Sequence, residues 1–183
     1  MDKKRIIQAA IEIATKSGWE KASVRNISKR IDYSTIKIYS EFGSKEGLMS
    51  TIQKKGFNML RQTMIAAIEK KKSPEEQFIA LNLAYYNFSK THQAYYNLMF
   101  QMDGTNCPKA DRVTLQHTSE PIRSLISQLS GRPTTKSLFF NWWSIMHGYV
   151  AITQGYQNSD EQEYLVILEE MIGRFIFALK NKG

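Results

Sequence analysis

The sequence predicts an all-α protein of about nine helices, and three observations predict it. Apolar residues recur at three- and four-residue spacing along nearly the whole chain, the alternating pattern of strands is missing, and the four prolines fall at breaks or kinks. With 183 residues the chain can form one sizeable domain or a small module joined to a larger one, and 42% hydrophobic residues is a globular composition. The longest apolar runs, such as LFFNWWSIM at Leu138–Met146, are too short to span a membrane. The charged opening residues lack an apolar stretch followed by a small-residue cleavage site, and Cys107 is the single cysteine, so no internal disulfide can form. A cytoplasmic protein is expected.

A first helix over about Lys3–Ser17 presents Ile6, Ile7, Ala10, Ile13 and Ala14 on one face and stops at Gly18, a residue suited to a left-handed C-cap. Trp19 then reads as a core plug. Ser23 caps a second helix through Arg30, and Ser34 a third to about Ser40. Between them lie only Ile31, Asp32 and Tyr33, where Asp32 can take the αL conformation that so tight a turn needs. Ser44 caps a fourth helix to about Lys71. SPEE at Ser73–Glu76 combines an N-cap serine, a proline in the first turn and a glutamate three residues after the cap, and it opens a fifth helix to about Thr91. A sixth follows over Gln93–Met102, then the loop DGTNCP, then a helical segment Lys109–Ser130 that Pro121 should kink or split near Thr118. The eighth helix runs from about Thr134 to Gln157. The ninth, about Asp160–Asn181, opens with the capping box SDEQ and closes with Lys180 and Lys182 placed against the helix dipole.

The net charge of +8 is unevenly placed. Met1–Lys72 holds sixteen Lys and Arg against seven Asp and Glu, whereas Ser73–Gly183 holds nine against ten. A basic front joined to a near-neutral, aromatic-rich back suggests that the front meets a polyanion, which charge alone leaves open between nucleic acid and an anionic membrane surface.

Two short helices around a three-residue turn make a helix-turn-helix, whose second helix enters the DNA major groove N-terminus first. Ile38 can fall inward with Ile27 and Ile31, leaving Tyr33, Ser34, Thr35, Lys37, Tyr39 and Ser40 outward. Hydroxyls suit phosphates, and Lys37 and Thr35 can reach base edges. Lys45, in the first turn of the fourth helix, can join backbone N–H groups in holding one phosphate, and Ser23 with Arg25 offers a second clamp. Phe42 is assigned to the core.

Residues 6–48, IIQAAIEIATKSGWEKASVRNISKRIDYSTIKIYSEFGSKEGL, resemble the N-terminal DNA-binding domain of TetR-family bacterial transcriptional repressors. The residues that carry the resemblance are Ala9, Ala10, Gly18, Val24, Ile27, Ser34, Tyr39, Phe42, Ser44, Lys45, Glu46 and Leu48. It implies that Tyr39 and Lys45 bind phosphates, and that Tyr33 to Ser40 read the groove. The chain departs from the family at Ile31-Asp32-Tyr33, where Ala-Gly-Val is favoured, and at Glu41, where an aromatic is common. An acid beside DNA repels phosphate.

The back half carries many large apolar residues. Phe78, Tyr85, Phe88, Tyr96, Met99 and Phe100 in helices five and six, with Trp143, Met146 and His147 in helix eight, could line an apolar pocket for a small-molecule effector. Most residues of such a stripe must be core. The segment WWSIMHGYVAI, Trp142–Ile152, resembles the Trp-x-x-x-His-Gly segment of many TetR-family C-terminal domains, which implies a homodimer through helices at about 134–157 and 160–181. Gly148 and Gly155 would permit close helix approach, and Leu165, Leu168, Met171, Ile172, Phe175, Ile176 and Leu179 form a stripe on helix nine shared between that interface and the protomer's own core. His147, His92 and His117 lie on different helices with no Cys-His spacing, and no Ser-His-Asp order or phosphate loop is present. His147 is read as a hydrogen-bonded core residue, and no metal, cofactor or catalytic residue is expected.

The expectation is a helix-turn-helix DNA-binding domain at 1–47 and a helical ligand-binding and dimerisation domain at 48–183. It would be a regulator, most simply a repressor released from a double-stranded operator by a small apolar or amphipathic molecule. The rival is a helical enzyme or carrier for an apolar substrate whose basic front faces a membrane; the run Val24–Leu48 counts against it.

Overall fold

The computed structural model describes residues 2–102, 110–155 and 161–181. Among them are nine α-helices and no strand, as the periodicity predicts. In order they are α1 (Asp2–Ser17), α2 (Val24–Ile31), α3 (Thr35–Phe42), α4 (Lys45–Ile68), α5 (Pro74–Thr91), α6 (Gln93–Phe100), α7 (Arg112–Ser130), α8 (Lys136–Gln154) and α9 (Glu161–Lys180). The DGTNCP loop with Cys107, the first two residues of the SDEQ box and Lys182 lie outside the described residues. The chain forms two compact units, Met1–Asn58 with His92–Leu115, and Met59–Thr91 with Gln116–Gly183, and α4 is continuous from one into the other.

In the first unit α1 packs on α2 and α6, and α2 on α3. Ile6, Ala10, Ile27, Ile38, Leu48, Ile52 and Phe57 make its core. Gly18 has φ +82°, and a Cβ there would lie 2.4 Å from the Glu20 carboxylate, so glycine is needed at this break. Trp19 is buried in a single 3-10 turn that the sequence does not announce, and its Nε1 donates to the Ala94 carbonyl at 2.8 Å, fastening α6 to the turn after α1. α6 also touches α4. A Cβ at Gly56 would meet Met99 Sδ at 2.6 Å, and buried Gln53 faces the Leu98 and Met99 carbonyls. Phe42 is only half-buried, with Lys3 Nζ 5.8 Å from its ring centre.

In the second unit α5 packs on α8 and α9 around Phe78, Leu81, Tyr86, Trp142, Met146, Leu168 and Ile172. Trp142 Nε1 donates to Asn82 Oδ1 at 2.7 Å, and Asn82 Nδ2 donates to the Phe78 carbonyl, so the buried amide is satisfied. Of the kink or split expected near Thr118, the split does not occur: α7 is one helix through Pro121. Proline cannot supply the N–H for the carbonyl four residues back, and Arg61 Nε donates to that carbonyl, His117 O, at 3.0 Å. The stripe on α9 also resolves, because Leu168, Ile172, Ile176 and Leu179 are buried in the protomer's own core and Phe175 stacks on Phe78 with ring centres 6.0 Å apart. The exposed apolar residues of α9 are others, Val166, Ile167 and Phe177, with Phe140 and Ile152 on α8.

Candidate nucleic-acid interface

The local chemistry of residues 23–45 sets the position of α3. Ser23 Oγ accepts from Asn26 N at 3.1 Å and Ser34 Oγ from Lys37 N at 3.2 Å, so both helices have the N-caps their sequence promises. Asp32 takes φ 54°, ψ 45°, the left-handed residue of the turn, and Ser28 Oγ donates to the Tyr33 carbonyl. Ile27 and Ile38 are buried and Ile31 half-buried, which fixes α3 against α2 and decides what α3 shows to solvent. α3 continues two residues past the expected end at Ser40, carrying Glu41 onto the helix one turn after Lys37.

The candidate contact residues fall as follows. Arg25, Ser34, Tyr39, Ser40 and Lys45 are exposed; Ser23, Tyr33, Thr35 and Lys37 are half-buried. Ser44 Oγ accepts from Gly47 N at 3.0 Å, capping α4 beside Lys45. The residue missed by sequence reasoning is Ile36, 77% exposed at the start of α3. Its one signal was position, since Ile38 takes the inward direction and a residue two before it on a helix cannot share that face.

Lys37 and Tyr33 are tied to the start of α1. Lys37 Nζ lies 3.1 Å from Asp2 Oδ2 and 3.4 Å from Glu41 Oε1. Tyr33 Oη donates to Asp2 Oδ1 at 2.8 Å and accepts from Arg5 Nη1 at 3.0 Å, with the Arg5 guanidinium over its ring. Lys3 Nζ stands 4.0 Å from Glu41 Oε2. The Tyr33 hydroxyl, and then Lys37, hold the Asp2 carboxyl below its usual range, and the Asp2 carboxylate raises the Lys37 ammonium.

The nine aromatic, methionine and histidine positions suggested for an effector divide between the units. Tyr96, Met99 and Phe100 are in the first unit; Phe78, Tyr85, Phe88, Trp143, Met146 and His147 are in the second. All are buried except Phe100, Trp143 and His147, which are half-buried. Tyr85 Oη and His147 Nε2 are 3.2 Å apart, and burial pulls the His147 ring down to about 4. The ring is therefore neutral near pH 7 and sits in a hydrogen-bonded aromatic core, as its sequence context suggests. Elsewhere in this unit Tyr86, whose ring meets that of Tyr149, is fully buried and its hydroxyl has no hydrogen-bond partner among the described residues. A groove of about 660 Å³ lined by Gln116, Glu120, Arg123, Ser124, Ser127 and Thr134 shares none of the nine positions. No group of three potential metal ligands occurs among the described residues, and none of their helices is long and apolar enough to cross a membrane.

Residues 6–52 match the family model described as bacterial regulatory proteins, tetR family. No curated protein matches the sequence. The fold is similar to that of a protein of unknown function from Rhodococcus sp. RHA1, with TM-score 0.74 and 17% identity over 94% of this chain and 93% of that one. It is also similar to the TetR family transcriptional regulator PfmR from Thermus thermophilus, with TM-score 0.68 and 16% identity over 94% and 97% of the two chains. A bacterial regulatory protein in the tetR family from Rhodococcus RHA1 gives TM-score 0.70 and 14% identity over 99% and 98%. At these identities the shared property is the fold. The family match covers the helix-turn-helix, residues 6–52, which is thus similar to the DNA-binding segment of tetR-family regulatory proteins, and the rest of the chain shares their fold.

Proposed function

We propose that the protein is a homodimeric repressor that a small apolar or amphipathic molecule releases from a double-stranded operator. The observation that carries the reading is the doubly capped helix-turn-helix at 23–42, with hydroxyl, lysine and exposed isoleucine side chains on α3 and Lys45 in the first turn of the next helix. In this reading residues 1–47 bind DNA. Tyr39, Lys45, Ser23 and Arg25 hold phosphates, while Tyr33, Ser34, Thr35, Lys37 and Ser40 face the groove.

Residues 48–183 sense the effector and dimerise. The exposed apolar side chains of α8 and α9 support a dimer through those helices, as does the open space around Gly148 and Gly173, where an added Cβ would meet nothing within the chain. Two copies place two recognition helices in successive major grooves, which one eight-residue helix cannot do alone. An effector seated among Phe78, Tyr85, Phe88, Trp143, Met146 and His147, or against Tyr96, Met99 and Phe100, would favour a form whose helix spacing no longer fits the operator, with α4 carrying the change. The unpartnered Tyr86 hydroxyl supports a polar group on that effector.

Selection of bound duplexes from random DNA, followed by gel shifts at several salt concentrations, tests the reading. Binding should weaken steeply as salt rises, by several log units of affinity per log of salt if each subunit contacts a few phosphates. A protein that floats with anionic lipid vesicles and retains no duplex is instead the membrane-facing enzyme or carrier.

A further inference from the structure

Lys37 is the one amine on α3, and two carboxylates from different helices hold it before any DNA arrives: Asp2 from α1 and Glu41 from the last turn of α3. Stability does not require the arrangement. The three side chains are 24–43% exposed, and water screens pairs of that kind so well that they add little to folding. Its consequence lies at the groove. A phosphate approaching Lys37 also meets Asp2 and Glu41, so the attraction a bare lysine would offer any duplex is largely cancelled there, although Lys3 and Arg5 stand close by at Glu41 and Tyr33.

A guanine changes the balance. Its O6 and N7 replace the carboxylates as acceptors for the ammonium, and the freed carboxylate can accept from the N4 amine of the paired cytosine. At other base pairs a carboxylate left in the groove faces phosphate or base acceptors with no compensation. We propose that Asp2 and Glu41 are specificity-determining residues, which withhold Lys37 from the phosphate backbone and release it to a G·C pair of the operator. The proposal rests on the DNA-binding reading above and adds to it a role for two acids that attraction to DNA would not select.

The test uses the full chain with Asp2→Asn and Glu41→Gln, each with and without Lys37→Ala. Affinities are measured for the selected operator, its single-base variants and an unrelated duplex, at low and high salt. Each acid variant should tighten the unrelated duplex roughly threefold to tenfold at low salt and the operator less, so that discrimination falls, and high salt should erase the gain. With Lys37→Ala in place the loss of discrimination should vanish, because the acids act through that lysine. Equal tightening on operator and unrelated DNA, or an effect that survives Lys37→Ala, overturns the proposal while leaving DNA binding intact. A wild-type chain that retains no duplex overturns both.

Discussion

Lys45 is an exposed lysine at a helix N-terminus, whereas Ile36 is an apolar side chain left 77% exposed. The first arrangement suits phosphate, which is alike at every step of a duplex. Lys45→Ala should therefore weaken binding by about the same factor on every sequence and reduce the salt slope by about one per subunit, which a gel-shift panel at several salt concentrations reads directly. The second suits a thymine methyl group. Ile36→Ala should cost on the order of 1 kcal/mol at one A·T pair in each half-site. Replacing that thymine by uracil should cost the wild type as much and the variant nothing; equal losses in both proteins would remove Ile36 from the groove. In the other unit, the buried Tyr86 hydroxyl lacks a partner among the described residues, so Tyr86→Phe should leave the melting temperature unchanged or raise it while weakening the hold on the proposed effector. A clear loss of stability would reveal a partner for that hydroxyl.

Among the elements, the α5–α8 contact has a pH signature. His147 titrates near 4 when folded, against an ordinary 6.5, so the fold favours the neutral ring. The folded pKa is depressed, hence the stability is full above pH 6.5 and is lost as pH falls from there towards 4, by at most about 1.4 kcal/mol per unit. Thermal unfolding followed from about pH 7.5 down to about pH 4.5, a range that brackets most of this window, should show a shallower decline in His147→Gln than in the wild type; parallel declines would place the loss on the carboxylates. What the sequence disclosed about elements follows the range of the interaction involved. The caps at Ser23, Ser34 and Ser73 and the left-handed Asp32 depend on neighbours within three or four residues, and all were legible. The unbroken α7 depends on Arg61, 56 residues away, and the bonds from Asp2 to Tyr33 and Lys37 join positions far apart in sequence, so neither could be read. The α9 stripe was found by its period, but a period does not say which neighbour it faces, and packing against α5 claimed Phe175.

For the molecule as a whole, the proposed assembly makes Phe175 and Phe177 a discriminating pair. Phe177 is 68% exposed and Phe175 stacks inside the protomer, so Phe177→Glu should give folded monomers that fail to bind operator, while Phe175→Glu should lower the melting temperature first. Sedimentation of both variants checks this, and an intact Phe177→Glu dimer would move the interface elsewhere. The contact of Gly56 with Met99 has a consequence of another kind. A Cβ at Gly56 would displace the Met99 side chain, and the helix that carries Gly56 begins at Lys45. Coupling free energies are reciprocal, so if the proposed effector acts on this helix near Met99, operator held at the other end of the helix must be felt at Met99 in turn. The Met99 methyl group is thus a built-in spectroscopic reporter. Its carbon-13 resonance should move when operator is added without effector, and in Gly56→Ala it should start displaced and respond less.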